Sequence, residues 1–243
     1  MTRTITDSTM TSNRRSVPTT SILSRDYLSM QPLIAWLRDV AAPASRGTLL
    51  DIGCGNKPYE SLFSAHVVRH LGADIAQNSA GTVDYVVPPG EPLPLEEESV
   101  DTVLSTQVLE HVAEPDAYLA EAARVLRTGG LLILTCPGHY MLHEEPHDYY
   151  RYTRYGLEYL LGKHGLQIER LNTAGGSWRQ IGQSIVNHKT FGVPRRIPLL
   201  SGLSIVAWTL AINTACLAFD AMHTNRKDPA NYLILARKTK GGA

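Results

Sequence analysis

The segment Leu49-Leu50-Asp51-Ile52-Gly53-Cys54-Gly55 constrains the fold more than any other stretch of the chain. A short apolar run ends in an acid and breaks at once into a Gly-x-Gly turn. That is the pattern of a buried strand delivering a carboxylate and a tight turn to one edge of a sheet. Glycines in the turn let a ligand approach the backbone with no Cβ in the way. An ordinary core turn has no use for an acid at the last strand position, because a buried carboxylate needs a partner. A nicotinamide-type turn would read G-x-G-x-x-G and cradle a pyrophosphate. Here the chain continues Asn56-Lys57-Pro58, with no third glycine. Asp51 would repel a pyrophosphate and attract a ligand that carries an ammonium group.

Strand and helix signals alternate from about residue 22 to residue 172. Strands are expected over 48–52, 67–73, 84–87, 100–105, 131–136 and 166–171, with a last one over 232–237. Helices are expected over 27–40, with a kink at Pro32, from 58 to 63, and over 115–126, where Thr128-Gly129-Gly130 ends the helix. A further helix is capped by Thr153, runs to His164 and stops at Gly165. Such alternation implies a parallel sheet with helices on both faces. Ligands of such sheets bind beyond the carboxyl ends of the strands. Asp51, Asp74 and Ser105 all fall at expected strand ends, and a carboxylate at Asp74 can accept two ribose hydroxyls.

The Asp51–Gly55 turn resembles the first motif of class I S-adenosylmethionine-dependent methyltransferases. Further segments resemble the same family in order: Leu93-Pro94-Leu95 running into Ser99-Val100-Asp101, then Leu109-Glu110-His111-Val112, then Arg124-Val125-Leu126-Arg127-Thr128-Gly129-Gly130, with Thr128 where proline is usual. The resemblance covers about residues 49–172 and is nearest to the small bacterial type 11 methyltransferases. It implies an α/β fold: a doubly wound, mostly parallel seven-stranded sheet with an apolar helical insertion before the last strand. It also implies S-adenosyl-L-methionine as cofactor. Asp51, Gly53, Cys54 and Gly55 would surround its methionine and ribose parts, Asp74 and Ile75 the ribose, and Gln107 the methionine side. Relatives hold the adenine with an acid a few residues before the Leu-Pro pair. Here Pro89 stands in that place, which leaves Glu91 or backbone groups for the contact.

The acceptor is expected against the segment after the fifth core strand, Pro137 to Tyr152. Its histidines supply a general base, which typically contributes about 10²–10⁴-fold. His143 or His147 is expected to take the acceptor's proton, oriented by Asp148; His111 is read as structural, with an acid–base role as the alternative. Pro146 breaks the helical i, i+4 register between His143 and His147, so no metal site is expected there. Tyr152, Tyr155 and Tyr159 fit a buried helical stripe, whereas Tyr149 and Tyr150 are expected to face the pocket. The string His147-Asp148-Tyr149-Tyr150-Arg151-Tyr152-Thr153 resembles small bacterial methyltransferases found with sugar and polysaccharide pathways.

The expected organisation is a disordered or lid-like segment over 1–25, a cofactor-binding core over 26–172, an apolar helical insertion over 173–228, and the last strand and tail over 229–243. With 23 basic and 23 acidic residues, the formal net charge is zero, which gives a nucleic-acid partner no electrostatic support. Three cysteines without metal or pairing spacing suit a reducing cytoplasm. The stretch Ile197 to Phe219 carries no formal charge. It is read first as a buried or dimer-forming helix and second as a membrane-surface helix that meets a lipid-linked acceptor. It is not read as a span, because the last strand must return to the same sheet. The expected reaction is methyl transfer to an oxygen of a small-molecule acceptor, such as a sugar, a lipid-linked intermediate or a natural product. Two alternatives stay open: a non-methylating reaction such as cyclisation on the same fold, and a non-catalytic partner subunit.

Overall fold

Apolar residues run consecutively through the inner strands, as a sheet covered on both faces requires. The computed structural model describes residues 20–192 and 198–240. Its strands are β1 (Thr48–Ile52), β2 (Arg69–Asp74), β3 (Tyr85–Val86), β4 (Val100–Thr106), β5 (Leu126–Pro137), β6 (Leu166–Thr173) and β7 (Asn231–Lys238). They form one sheet in the order β3-β2-β1-β4-β5-β7-β6. The first five run parallel, and β7 lies antiparallel between β5 and β6. The doubly wound, mostly parallel seven-stranded sheet expected from the sequence is the one found.

Alternate strand residues supply two cores. Leu49, Leu104 and Ile133 pack with Leu33 and Trp36 of α1 (Tyr27–Trp36) and with Phe63 of α3 (Glu60–Phe63). Their neighbours Leu50, Val103 and Leu132 face the other side. There they meet Leu119 and Val125 of α4 (Pro115–Val125) and Leu157 and Leu161 of α5 (Arg154–Lys163). The strand order reverses between β1 and β4, so the crevice where such sheets take ligands opens at the carboxyl ends of those two strands.

Several elements differ from their sequence pattern. The first helix runs through Pro32 and changes to a π-turn at Leu37–Ala41 before a last short turn, α2 (Ala42–Ala44). The Thr128-Gly129-Gly130 segment lies inside β5 instead of ending the preceding helix. Val100 pairs with Leu126 and Thr102 with Leu131, and the residues between bow out of the ladder with Gly129 at φ +77°. Thr153 does cap α5, its Oγ1 accepting from the Gly156 amide at 3.1 Å, and Gly165 follows at φ +65°. The tyrosine stripe is corrected: Tyr152 is buried, but Tyr155 and Tyr159 are 75% and 70% exposed. Leu157 and Leu161, one turn apart, take the core face of α5 and turn those tyrosines outward.

Between β6 and β7 the chain forms a helical hairpin, α6 (Ser177–Gly192) and α7 (Pro198–Met222). Residues 22–25 are bound to it: Asn213 donates to the Ile22 and Ser24 carbonyls at 2.7 and 3.1 Å, and Gln183 to the Arg25 carbonyl at 2.8 Å. The remainder of the expected N-terminal lid, 1–19, lies outside the described residues. The buried-helix reading of α7 does not hold, since only 17% of its apolar window within Gly202–Met222 is buried. Packing on α6 and α1 covers one side of the helix and leaves Leu203, Val206, Leu210, Phe219 and Met222 exposed.

Candidate functional site

The end of β1 places Asp51 at the floor of the crevice, 1% exposed. Its Oδ2 lies 3.3 Å from His70 Nε2 on β2, while its Oδ1 is buried with no hydrogen-bond partner. Burial pushes the carboxyl up from its ordinary range, and the His70 contact only partly offsets that. The turn that follows is tied to β2 by the Gly53 and Cys54 amides, which donate to the Ala73 carbonyl at 2.8 and 3.2 Å. Burial, with the Asp51 charge second, pushes the Cys54 thiol up to about 12, so it is an inert packing group there.

Asp74 ends β2 beside the same turn. Its Oδ2 accepts from the Gly55 amide at 2.7 Å and its Oδ1 from the Ile75 amide at 2.7 Å. The carboxylate is thereby fixed in orientation, and each oxygen keeps a lone pair for a ligand hydroxyl. Ile75 stands 66% exposed at the rim, available as an apolar surface. At the end of β4, Gln107 adopts φ +56°, a region disfavoured for non-glycine residues. Two bonds to β5 hold it there: its amide donates to the Thr135 carbonyl at 2.9 Å and its Nε2 to Thr135 Oγ1 at 3.1 Å. The structure thus gathers Asp51, Gly53, Cys54, Gly55, Asp74, Ile75 and Gln107 along one sheet edge. Ser105 is not among them; it is buried, with its hydroxyl 2.7 Å from that of Tyr118.

A brace beneath the turn escaped the sequence reading. Lys57 is only 7% exposed, and its Nζ donates to Asp84 Oδ2 at 2.6 Å and to the His70 carbonyl at 3.1 Å. Asp84 Oδ2 also accepts from the Gly72 amide at 2.7 Å. Burial pushes the Asp84 carboxyl up, but the Lys57 and Gly72 bonds outweigh it and hold the group below its usual value. A lysine after a glycine turn carries no sequence signal of this role.

The loop after β5 is strapped down over the short 3₁₀ turn Leu109–His111. The Tyr149 and Tyr150 amides donate to the Glu110 carbonyl at 2.9 and 3.2 Å, and the Tyr152 hydroxyl to the Leu109 carbonyl at 3.1 Å. Asp148, with its side chain 1% exposed, meets Arg151 through paired bonds of 2.6 and 2.7 Å. The Arg151 guanidinium holds its carboxyl down to about 2. Asp148 Oδ2 accepts from the His143 amide at 3.0 Å and lies 3.2 Å from His143 Nδ1. The structure therefore brings Asp148 to His143 and not to His147, whose exposed ring has its Nδ1 3.2 Å from the Tyr149 hydroxyl. Under this loop lies Glu110, fully buried, a residue the sequence reading passed over. Burial pushes its carboxyl up to about 8. The available signal was an acid inside the apolar run Val108-Leu109-Glu110-His111-Val112.

Comparison with known proteins adds the following. Residues 50–134 match the model of a methyltransferase domain family. A ubiquinone biosynthesis O-methyltransferase of Cereibacter sphaeroides is 36% identical over 126 residues, which cover 44% of this chain and 49% of that protein. An uncharacterized methyltransferase of Mycobacterium ulcerans is 36% identical over 109 residues, covering 41% of this chain and 43% of that one. The chain thus spans about half the length of the curated relatives it matches. Among solved structures, a methyltransferase-like protein of Bacillus halodurans aligns with a TM-score of 0.54 at 16% identity, covering 85% of this chain and 99% of that one. Residues 50–134 are thus similar to a methyltransferase domain, and the sheet has the Rossmann-like fold of solved methyltransferases.

Proposed function

We propose that the chain transfers a methyl group from S-adenosylmethionine to an oxygen of a small-molecule acceptor. One observation carries the reading: a buried Asp51 oxygen without a partner, set beside a glycine turn whose Gly55 has open space where a Cβ would stand. The residues present fit the cofactor. Asp51 supplies a carboxylate for an ammonium group, Asp74 two fixed oxygens for ribose hydroxyls, and Gln107 a pinned amide on the methionine side. The cofactor supplies an electrophilic methyl group on a sulfonium. The chain's share is then alignment of the two reactants, worth roughly 7–11 kcal/mol in well-oriented intramolecular reactions. His143, positioned by Asp148, accepts the acceptor's proton; His147 is the alternative base. The naming of similar proteins as O-methyltransferases favours an oxygen acceptor. Titration calorimetry with S-adenosylhomocysteine tests the site, followed by a screen of acceptors with labelled methyl donor. We expect one cofactor bound per chain and label in product; saturable binding without label transfer to any acceptor would favour the non-methylating reading, and absence of binding the partner-subunit reading.

We further infer that α7 rests on an anionic membrane surface and presents the site to an acceptor with an apolar portion. The helix offers a charge-free apolar face, and basic pairs bracket it in the sequence, Arg195-Arg196 before and Arg226-Lys227 after. Amphipathic anchors bind by buried apolar area together with attraction to anionic lipid. Co-sedimentation is expected with phosphatidylglycerol vesicles and to weaken with salt. A protein that stays in the supernatant and forms a homodimer in solution would mean that a second copy covers this face.

A further inference from the structure

We propose that Glu110, His111 and His143 bind one divalent transition-metal ion of the zinc type at the mouth of the crevice. One ligand atom from each lies within 4.8 Å of the others. The set is assembled by tertiary structure. Glu110 and His111 come from the 3₁₀ turn after β4, and His143 from the loop after β5 that is strapped onto that turn.

Glu110 is the strongest pointer. It is fully buried, and neither carboxylate oxygen meets a hydrogen-bond donor of another residue. A buried carboxylate left in that state is costly, and metal coordination is one of the few arrangements that removes the cost. The two histidines are oriented as ligands. His111 Nδ1 lies 2.7 Å from the His147 carbonyl oxygen, which can only accept, so Nδ1 carries the proton. In the neutral ring the lone pair is then on Nε2, and Nε2 faces Glu110 Oε1 and Glu144 Oε2, each at 3.8 Å. A lone pair turned toward two carboxylates is repelled unless a proton or a cation stands between them. His143 Nδ1 in turn faces Asp148 Oδ2 and the Met141 carbonyl, both at 3.2 Å, with the Arg151 Nη2 donor farther off at 3.4 Å; a proton on Nδ1 serves the two nearer acceptors and leaves Nε2 to ligate. A carboxylate or carbonyl behind each ligating imidazole is the usual outer shell of a metal site.

The distances suit such an ion. Zinc holds nitrogen and oxygen ligands at about 2.0–2.2 Å, so tetrahedral ligand atoms stand roughly 3.3 Å apart. The His111–Glu110 separation of 3.8 Å needs to close by about half an ångström, and the widest pair of the three, within 4.8 Å, by up to about 1.5 Å. Two imidazoles and a carboxylate, without thiolate, select zinc, cobalt, manganese or iron over copper(I). Glu144, exposed and beside His143, can complete the shell or give way to water or to an acceptor oxygen. His147 takes part through its backbone carbonyl rather than its ring, which is why the His143–His147 spacing hides the site.

With both its nitrogens engaged, His143 cannot also take the acceptor's proton, a role that then falls to His147; the proposal is tested without methyl transfer. Untagged, chelator-treated protein is titrated with Co²⁺ and with Zn²⁺, following heat and the visible absorption of the cobalt complex. We expect one ion per chain, displaced from cobalt by zinc, and at least a tenfold loss of affinity in both Glu110→Gln and His143→Ala. Glu110→Gln keeps the shape and removes the ligating carboxylate, so its melting curve serves as the folding control. Retained affinity in both variants, or loss only in His139→Ala or His147→Ala, would place the ion elsewhere and overturn the proposal. So would nitrogen-15 shifts of a doubly protonated His111 that zinc leaves unchanged, because the two carboxylates would then be paired with an imidazolium.

Discussion

Asparagine at position 51 is expected to weaken S-adenosylhomocysteine binding by about 10- to 100-fold, the range of a lost charge-assisted hydrogen bond of about 1.5–3 kcal/mol. The same change is expected to leave folding stability equal or higher. Asp51 is desolvated, and its charge is a burden on the folded state that asparagine does not carry. The amide oxygen still accepts from His70 Nε2, so the existing contact survives. pH separates the two effects. The Asp51 pKa is raised in the folded state above its unfolded value of about 3.9. The wild type therefore loses stability relative to Asp51→Asn as pH rises from the unfolded pKa through the folded one, and the two converge in acid. Cofactor affinity moves the other way: it depends on the carboxylate, so it falls in the wild type as pH drops through the raised pKa, and stays flat in the variant. Urea melts and calorimetry across that window check both arms. A variant that binds as well as the wild type would remove Asp51 from the site.

Gly53→Ala is expected to destabilise the protein by about 2–5 kcal/mol, combining roughly 1–2 for a left-handed residue with 1–3 for overpacking. Gly53 sits at φ +73°, and a Cβ there would lie 2.4 Å from Val108 Cγ2 and 2.9 Å from Cγ1. A β-branched neighbour cannot swing aside cheaply. Gly55 makes the control. It also has a positive φ, +49°, but nothing lies within 4 Å of where its Cβ would be. Gly55→Ala should therefore cost only about 1–2 kcal/mol for its backbone, while still weakening cofactor binding by filling the open space. Equal melting points for the two variants would contradict the turn geometry.

The sheet edge that gathers Asp51, Asp74 and Gln107 is readable in the sequence because each part has a local cause. An apolar run followed by an acid and glycines can only be a strand end, and Asp74 follows at the next strand end by alternation. The doubly wound sheet follows from the same periodicity. What stayed hidden was made by partners distant in the chain. Lys57, His70 and Asp84 look like ordinary surface residues until β2 brings them together under the turn. Asp148 reads as a base-orienting acid, and its tight partner proves to be Arg151, three residues on in a turn that no periodicity announces. The tyrosines of α5 were misplaced because leucines share nearly the same spacing, and the more apolar set took the core. α7 misled in the opposite way: composition records how apolar a helix is, not how many neighbours it has.

The place of β7 between β5 and β6 sets an order of events on the ribosome. Among the described residues β6 pairs with no strand other than β7, yet the whole α6–α7 hairpin is translated between them. Until β7 emerges, β5 presents an open edge and β6 has no ladder to join, while the apolar hairpin is already in solvent. Pairings of such long sequence separation form late, and unpaired edges beside exposed apolar helices are where nascent chains associate. The parallel half carrying Asp51, Asp74 and Gln107 can collapse early, whereas closure of the sheet waits for β7. Fusions or truncations that delay or remove that strand should therefore aggregate rather than merely lose activity.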